Sequence, residues 1–458
     1  MGAIPSGIET DAQPPMRVPL RHFVVSLGFL IAGAAVGALV PLEVVPGLGT
    51  LAHVHLLLVG WVCLTIVGAM TQFVPVWSGT TLHSSRLSVV QLWAVAAGLV
   101  GFVVCLLGGV VSWLPLFGGL LLVGFWIFVY NVGRTLLGVR PWDVTERHFA
   151  LALGFFLLAT ALGLTLAVGY TRPLFVGEMA GLGLARARVR AAHATLAVFG
   201  IVLTTVFGAL YQLGPMFTQS DLHGLDCPLR RVEEVGYPLG VLALAAGRLV
   251  GSPLAARVGG LLVVAGVAAM GVILARRLVD RTVEWSPMLR RYGVAAVAMC
   301  LWAVGTAPGW LAAPLAPDAL FGPPALSHLL LFGVVGFVVF GTLYHVVPFI
   351  VWVHRYSDRL GFETVPMIDD LSDDRLARVD FGLLVLGLVV VVAVEAGTAS
   401  SLLAGATARV ALAVGGFASL VGCLAFAGNL LAVVRNHGGD SLAAVVISER
   451  LSDRSREA

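Results

Sequence analysis

The chain has 458 residues, of which 59% are hydrophobic and 12% charged, with a net charge of +3 and a mean hydropathy of +0.96. A soluble domain carries about 25% charged residues, which this composition excludes, and long apolar runs exclude a membrane β-barrel with its short alternating strands. There is no basic stripe interleaved with aromatics, so nucleic acid is excluded as a partner.

Residues 1–16 are polar and proline-containing and read as a tail, not a signal peptide. Apolar segments of about 20 residues, long enough to span a bilayer as helices, follow near 22–45, 51–77, 87–112, 114–138, 149–170, 192–217, 233–250, 255–276, 292–315, 325–353, 380–398 and 407–434. They predict an all-α polytopic membrane protein with twelve transmembrane helices in one membrane domain, 17–436, and a second polar tail, 437–458. That second tail contains one short apolar run, SLAAVVI. Residues 354–378 form a charged connector.

All the basic residues are arginine, which reflects codon usage and not function. Their placement orients the spans. With the N-terminus inside, the inner loops hold Arg86, Arg134, Arg140, Arg147, Arg230, Arg231, Arg276, Arg277, Arg281, Arg290, Arg291, Arg355, Arg359, Arg375 and Arg378. Fewer lie outside: Arg172, Arg186, Arg188 and Arg190 in one loop, with Arg248, Arg257 and Arg409 near helix ends. The bias predicts a multi-pass protein of the cell membrane, in contact with the lipid bilayer, with both termini cytoplasmic.

The second, sixth and tenth segments repeat one pattern. Gly60, Gly68, Gln72 and Pro75 recur as Gly200, Gly208, Gln212 and Pro215, and as Gly333, Gly341, His345 and Pro348. The preceding helices open alike, with Arg21-His22-Phe23, Arg147-His148-Phe149 and Arg291-Tyr292. The chain therefore divides into three four-helix repeats, about 17–140, 141–284 and 285–436. The glycines suit close helix packing, and the prolines mark inner helix ends.

Histidines need a different reason. Seven residues before the first repeat glycine stand His53, His193 and Leu326; five before it stand His55, Thr195 and His328. Polar side chains inside a membrane span point to function, and imidazole is a common ligand of metals and of haem iron. His53 and His55 diverge by about 200° on a regular helix, so they cannot share one iron. His345 lies about 25 Å beyond His328 along its helix, in an inner polar layer with Gln72 and Gln212, which reads as polar packing and capping.

The remaining groups read as structural. Cys63, Cys105, Cys300 and Cys423 lie in apolar runs as small buried side chains, and Cys227 is apart; no Cys-x-x-Cys-His is present. His22 and His148 read as interface anchors, and His83, His223, His354 and His437 as exposed loop residues. Glu43 and Glu395 read as interfacial carboxylates, Glu178, Glu284 and Asp318 as loop acids, and no carboxylate as buried deeply enough to suggest a pumped proton path.

Twelve helices in three repeats, with histidines on the second, sixth and tenth, resemble subunit I of the haem-copper oxidase superfamily. HVHLLLVGWVCLTIVGAMTQFVP and GTLYHVVPF are most similar to short cbb3-type subunit I-like membrane proteins. The resemblance implies a low-spin haem b near the outer face, held by His53 or His55 and by His328, with His193 as a further ligand or polar neighbour. It also marks departures. The family's oxygen-reducing centre needs a second histidine where Leu326 stands, and an adjacent histidine pair on helix 7, which has none. A tyrosine one turn after the helix 6 histidine is replaced by Ala197. The implied function is electron transfer or handling of a gas such as O2 or NO, alongside an electron donor or partner membrane subunit. Two alternatives stay open: a transporter or copper-handling protein that uses the histidine ring, and a cofactor-free oxidase paralogue acting in assembly.

Overall fold

In a bilayer the backbone must satisfy its own polar groups, and the apolar runs of this chain do so as helices. The computed structural model describes residues 13–176, 178–181 and 183–447. Its long helices, in chain order, are α1 (Arg17–Leu39), α2 (Gly49–Trp77), α3 (Ser85–Gly108), α4 (Leu114–Leu137), α5 (Val144–Val168), α6 (Arg186–Thr218), α7 (226–250), α8 (Pro253–Val279), α9 (Pro287–Ala312), α10 (Pro324–Arg355), α11 (Asp374–Ala399) and α12 (Gly405–His437). Among the described residues, 11 are long and apolar enough to cross a membrane, the build of a polytopic membrane protein.

The helix that does not meet this standard is α7. It starts before the boundary at 233 expected from hydropathy, because a charged first half, with Asp226, Arg230, Arg231, Glu233 and Glu234, continues the same helix. Asp226 anchors that half to α8: it accepts from Arg276 Nε at 2.7 Å, from Arg277 Nη2 at 2.8 Å and from the His223 backbone N–H at 3.0 Å. Burial works to raise the Asp226 carboxyl's pKa, yet these donors hold it below the ordinary carboxylate value. Other helices start where a side chain can take a free N–H. Ser84, Ser252, Ser286 and Asp373 cap α3, α8, α9 and α11, and Asp143 with Glu146 makes a capping box on α5.

Packing separates three helices from the rest. In their most apolar stretches α2, α6 and α10 are 67%, 83% and 78% buried, against 22–61% for the other candidate spans. Around them run α3–α4–α5, α7–α8–α9 and α11–α12–α1, each helix against the next, and each inner helix also packs on the one preceding it in sequence. The repeat glycines explain that closeness. A Cβ on Gly68 would stand 2.7 Å from His22 Cβ, one on Gly208 2.6 Å from His148 Cβ, and one on Gly341 3.0 Å from the Tyr292 ring. Small residues here let backbones approach.

The three inner helices share a further irregularity. Each opens into a wide π-helical turn, at Leu56–Cys63, Leu196–Leu203 and Leu329–Gly336, with Gly60, Gly200 and Gly333 at the same place inside it. Such turns are rare in α-helices and gather at functional sites. Below them lies an apolar cavity of about 70 Å³, to which the three helices contribute at matching registers: Thr65, Thr205 and Val338; Ile66, Val206 and Val339; Ala69, Ala209 and Thr342. Pro75 and Pro215 stand in the last turns of α2 and α6, which end at Trp77 and Thr218, whereas α10 runs on past Pro348 to Arg355.

Of the expected tails, residues 1–12 and 448–458 lie outside the described residues. The part between α12 and residue 447 is not a loose tail. It folds back as a short helix, Leu442–Ile447, with Val445 buried. Arg17 pairs with Asp440 at 2.7 Å, and Arg21 Nε donates to the Val445 carbonyl at 2.9 Å. His354 and His437 also depart from the loop reading: both lie in helices, and Tyr356 Oη is 2.9 Å from His437 Nδ1.

Candidate functional site

His53, His55, His193 and His328 all lie in the turn leading into a π-helical segment. Their Nδ1 atoms are all engaged. His53 donates to the Gly33 carbonyl of α1 and His193 to the Ala159 carbonyl of α5, each at 2.8 Å. His55 donates to the Leu51 carbonyl of its own helix at 2.8 Å, and its ring meets Phe102 of α3 at 5.1 Å. His328 donates to Glu395 Oε1 of α11 at 2.6 Å. A carbonyl or carboxylate can only accept, so the proton sits on Nδ1. The Nε2 lone pair is then left free, and among the described residues no protein donor takes it. Metal-ligating histidines are held in this way, with one ring nitrogen tied back and the other presented.

Room for the rings comes from glycine. A Cβ on Gly37 would lie 2.3 Å from the His53 ring, and one on Gly163 would lie 3.0 Å from the His193 ring. Only a bare backbone lets these imidazoles lie against α1 and α5.

By register the four fall into two pairs: His53 with His328, and His193 with His55, each joining the position seven before the repeat glycine on one inner helix to the position five before it on the next. The first pair spans α2 and α10, backed by α1 and α11. The second spans α2 and α6, backed by α3 and α5. The divergence expected for His53 and His55 sends one imidazole into each interval.

The third interval, between α6 and α10, is built differently. Thr195 and Leu326 stand there, and Arg248 Nη1 donates to Thr195 Oγ1 at 2.7 Å and to the Leu320 carbonyl at 3.0 Å. Trp302, Trp310 and Phe199 are each fully buried, with ring centres 5.6–5.8 Å apart. Arg248, expected near an outer helix end, is buried over the Trp310 ring at 5.1 Å.

The inner polar positions are not joined to one another by hydrogen bonds among the described residues. Gln72 is buried with its Oε1 unpartnered, Gln212 is half-buried, and the His345 ring stacks on Phe349 and meets Phe217 at a tilt. A different polar layer forms nearby. His22 and His148 are buried, not interfacial: His22 Nε2 faces Gln91 Nε2 at 3.3 Å, and His148 Nε2 faces Glu233 Oε1 at 3.0 Å. Tyr211 donates to Glu233 Oε2 at 2.7 Å. On α9 and α10, Arg291 and Tyr344 both bond Asp380 of α11. Glu233, Asp380 and Asp226 are fully buried, three carboxylates that the sequence did not single out. Hydropathy missed them because each sits at the charged start of a helix and is matched by donors only in three dimensions.

Glu395 was also missed as a partner. It reads from sequence as an interfacial acid, as does Glu43, which pairs with Arg409 at 2.6 Å on the surface. Its place in the same outer layer as His328 is the signal that could have linked the two. The carbonyls of Gly33 and Ala159 carry no sequence signal. Among the described residues, no group of three or more His, Cys, Asp or Glu side chains could hold a metal ion together. No protein-family model matches the chain, and no curated protein matches it.

Proposed function

We propose that the chain is a haem-b-binding redox protein of the cell membrane, with His53 and His328 as the axial ligands. Its fold is read as twelve transmembrane helices in three four-helix repeats, similar to haem-copper oxidase subunit I, with both termini cytoplasmic. The observation that carries the haem reading is the outer-layer pair itself. Two imidazoles on neighbouring inner helices each have Nδ1 tied back and Nε2 free, at the layer where the inner helices widen.

The repeat reading is supported by three wide turns and three sets of glycine contacts in matching register. α7, with its charged first half, is read as the twelfth span because its apolar half lies against α8 and α6. The residues fit an iron porphyrin. The Gly33 carbonyl fixes the tautomer of His53, Gly37 gives its ring room, and Glu395 orients His328 by accepting its Nδ1–H. When bound, the group supplies a one-electron couple. Leu326 and the histidine-free α7 leave the family's oxygen-reducing centre without most of its protein ligands, so electron transfer to or from a partner is favoured over oxygen reduction.

The test is an absorption spectrum of the full chain, purified after expression with haem supplied. Sharp reduced bands of a bis-histidine b haem are expected, and His53→Ala and His328→Ala should each lower the haem content. A protein with no Soret band, or variants with undiminished haem, would sink the proposal. Copper without iron in the purified protein would move the case to the copper-handling alternative.

A further inference from the structure

We propose that the interval between α2 and α6 is a second haem site, with His55 and His193 as its two axial ligands. This rests on the haem reading of the first pair and extends it to imidazoles with no role there.

The argument is one of register. His193 holds in α6 the position that His53 holds in α2, and His55 holds in α2 the position that His328 holds in α10. Moving from one interval to the next therefore lays the second pair onto the first. The backing matches as well. His193 is tied to the carbonyl of Ala159 as His53 is to that of Gly33, at the same 2.8 Å, and the glycine one turn further on, Gly163 or Gly37, makes room for the ring. His55 has its Nδ1 on the Leu51 carbonyl, so both rings of the second pair present Nε2.

Polar packing alone does not account for this pair. Where the fold needs a polar group at the same position for packing, it places Thr195 and satisfies it with Arg248 at 2.7 Å. His55 and His193 have no such partner for Nε2 among the described residues. Two half-buried acceptors facing one interval, each with its proton fixed on the far side, are arranged for an electrophile, and the wide turn after each inner-helix position gives the walls room.

The experiment counts haem per chain, using the pyridine haemochrome spectrum of the purified full chain. Two haems are expected in the wild type and one in His55→Ala. His53→Ala should also keep one, with the spectrum of a bis-histidine b haem. One haem in the wild type, unchanged in His55→Ala, overturns the second site and leaves the first standing. No haem at all overturns both. If His55→Ala fails to fold, His193→Met decides: methionine ligation raises a haem's potential, so one component of a two-component redox titration should move upward while the other stays. A single component, or two that do not move, overturns the proposal.

Discussion

Two of the three intervals between the inner helices carry two imidazoles each by register, while the third is filled by Trp302, Trp310 and Phe199 around a buried Arg248. The helices lining them bend through the same wide turn at the same register. The difference teaches that the scaffold supplies the interval, and two side-chain positions plus the bulk of the walls decide its contents. Thr195 and Leu326 stand where the other intervals have histidine, and the loop before α10 closes over them through Arg248.

The strongest way to break that comparison is to empty the filled interval. Trp302→Ala removes a fully buried indole whose N–H donates to the Phe321 carbonyl at 2.6 Å. It should cost about 3–5 kcal/mol, read as thermal unfolding in detergent, and leave the haem content of the other intervals unchanged. A variant of wild-type stability would mean that the aromatic cluster is not a structural plug.

Glu395→Gln weakens one histidine interval alone. Loss of the carboxylate behind His328 should lower haem affinity about 10–100-fold, measured by haem titration of the apoprotein. An unchanged affinity would show that Glu395 is only a surface acid. Gly37→Ala and Gly163→Ala sharpen the comparison between the two histidine intervals. The added methyl collides at 2.3 Å with the His53 ring but only at 3.0 Å with that of His193. Haem loss should therefore be larger in Gly37→Ala, and equal losses would contradict the geometry.

The smallest effect lies outside the intervals, at Asp226. Its folded pKa is depressed, so the stability it contributes is full above its ordinary value of about 3.9 and is lost as pH falls through the lower folded value. Asp226→Asn should lower the melting temperature at neutral pH, with the deficit shrinking below about pH 4. A deficit that does not vary with pH would assign the effect to packing.

Much of the helical layout was legible in the sequence, because lipid makes burial and backbone satisfaction one requirement. The imidazoles were legible for the same reason: a polar side chain in an apolar run stands out. Their pairing was not. His53 and His55 look interchangeable as letters, and only the helix rotation and the carbonyl of Gly33 separate them. The wide turns were hidden because LLLVGWVC is as apolar as any α-helical stretch. Glu233 and Asp380 were hidden because a charge at a helix start reads as solvated until its partner, His148 or Arg291, is known.

The return of residues 438–447 onto α1 has a consequence for assembly. Arg17 with Asp440, and Arg21 with the Val445 carbonyl, fasten the last helical layer to the first, while α12 lies along α1. The arc α11–α12–α1 is thereby buckled at one face, so that α12 cannot part from α1 until the short helix Leu442–Ile447 lets go.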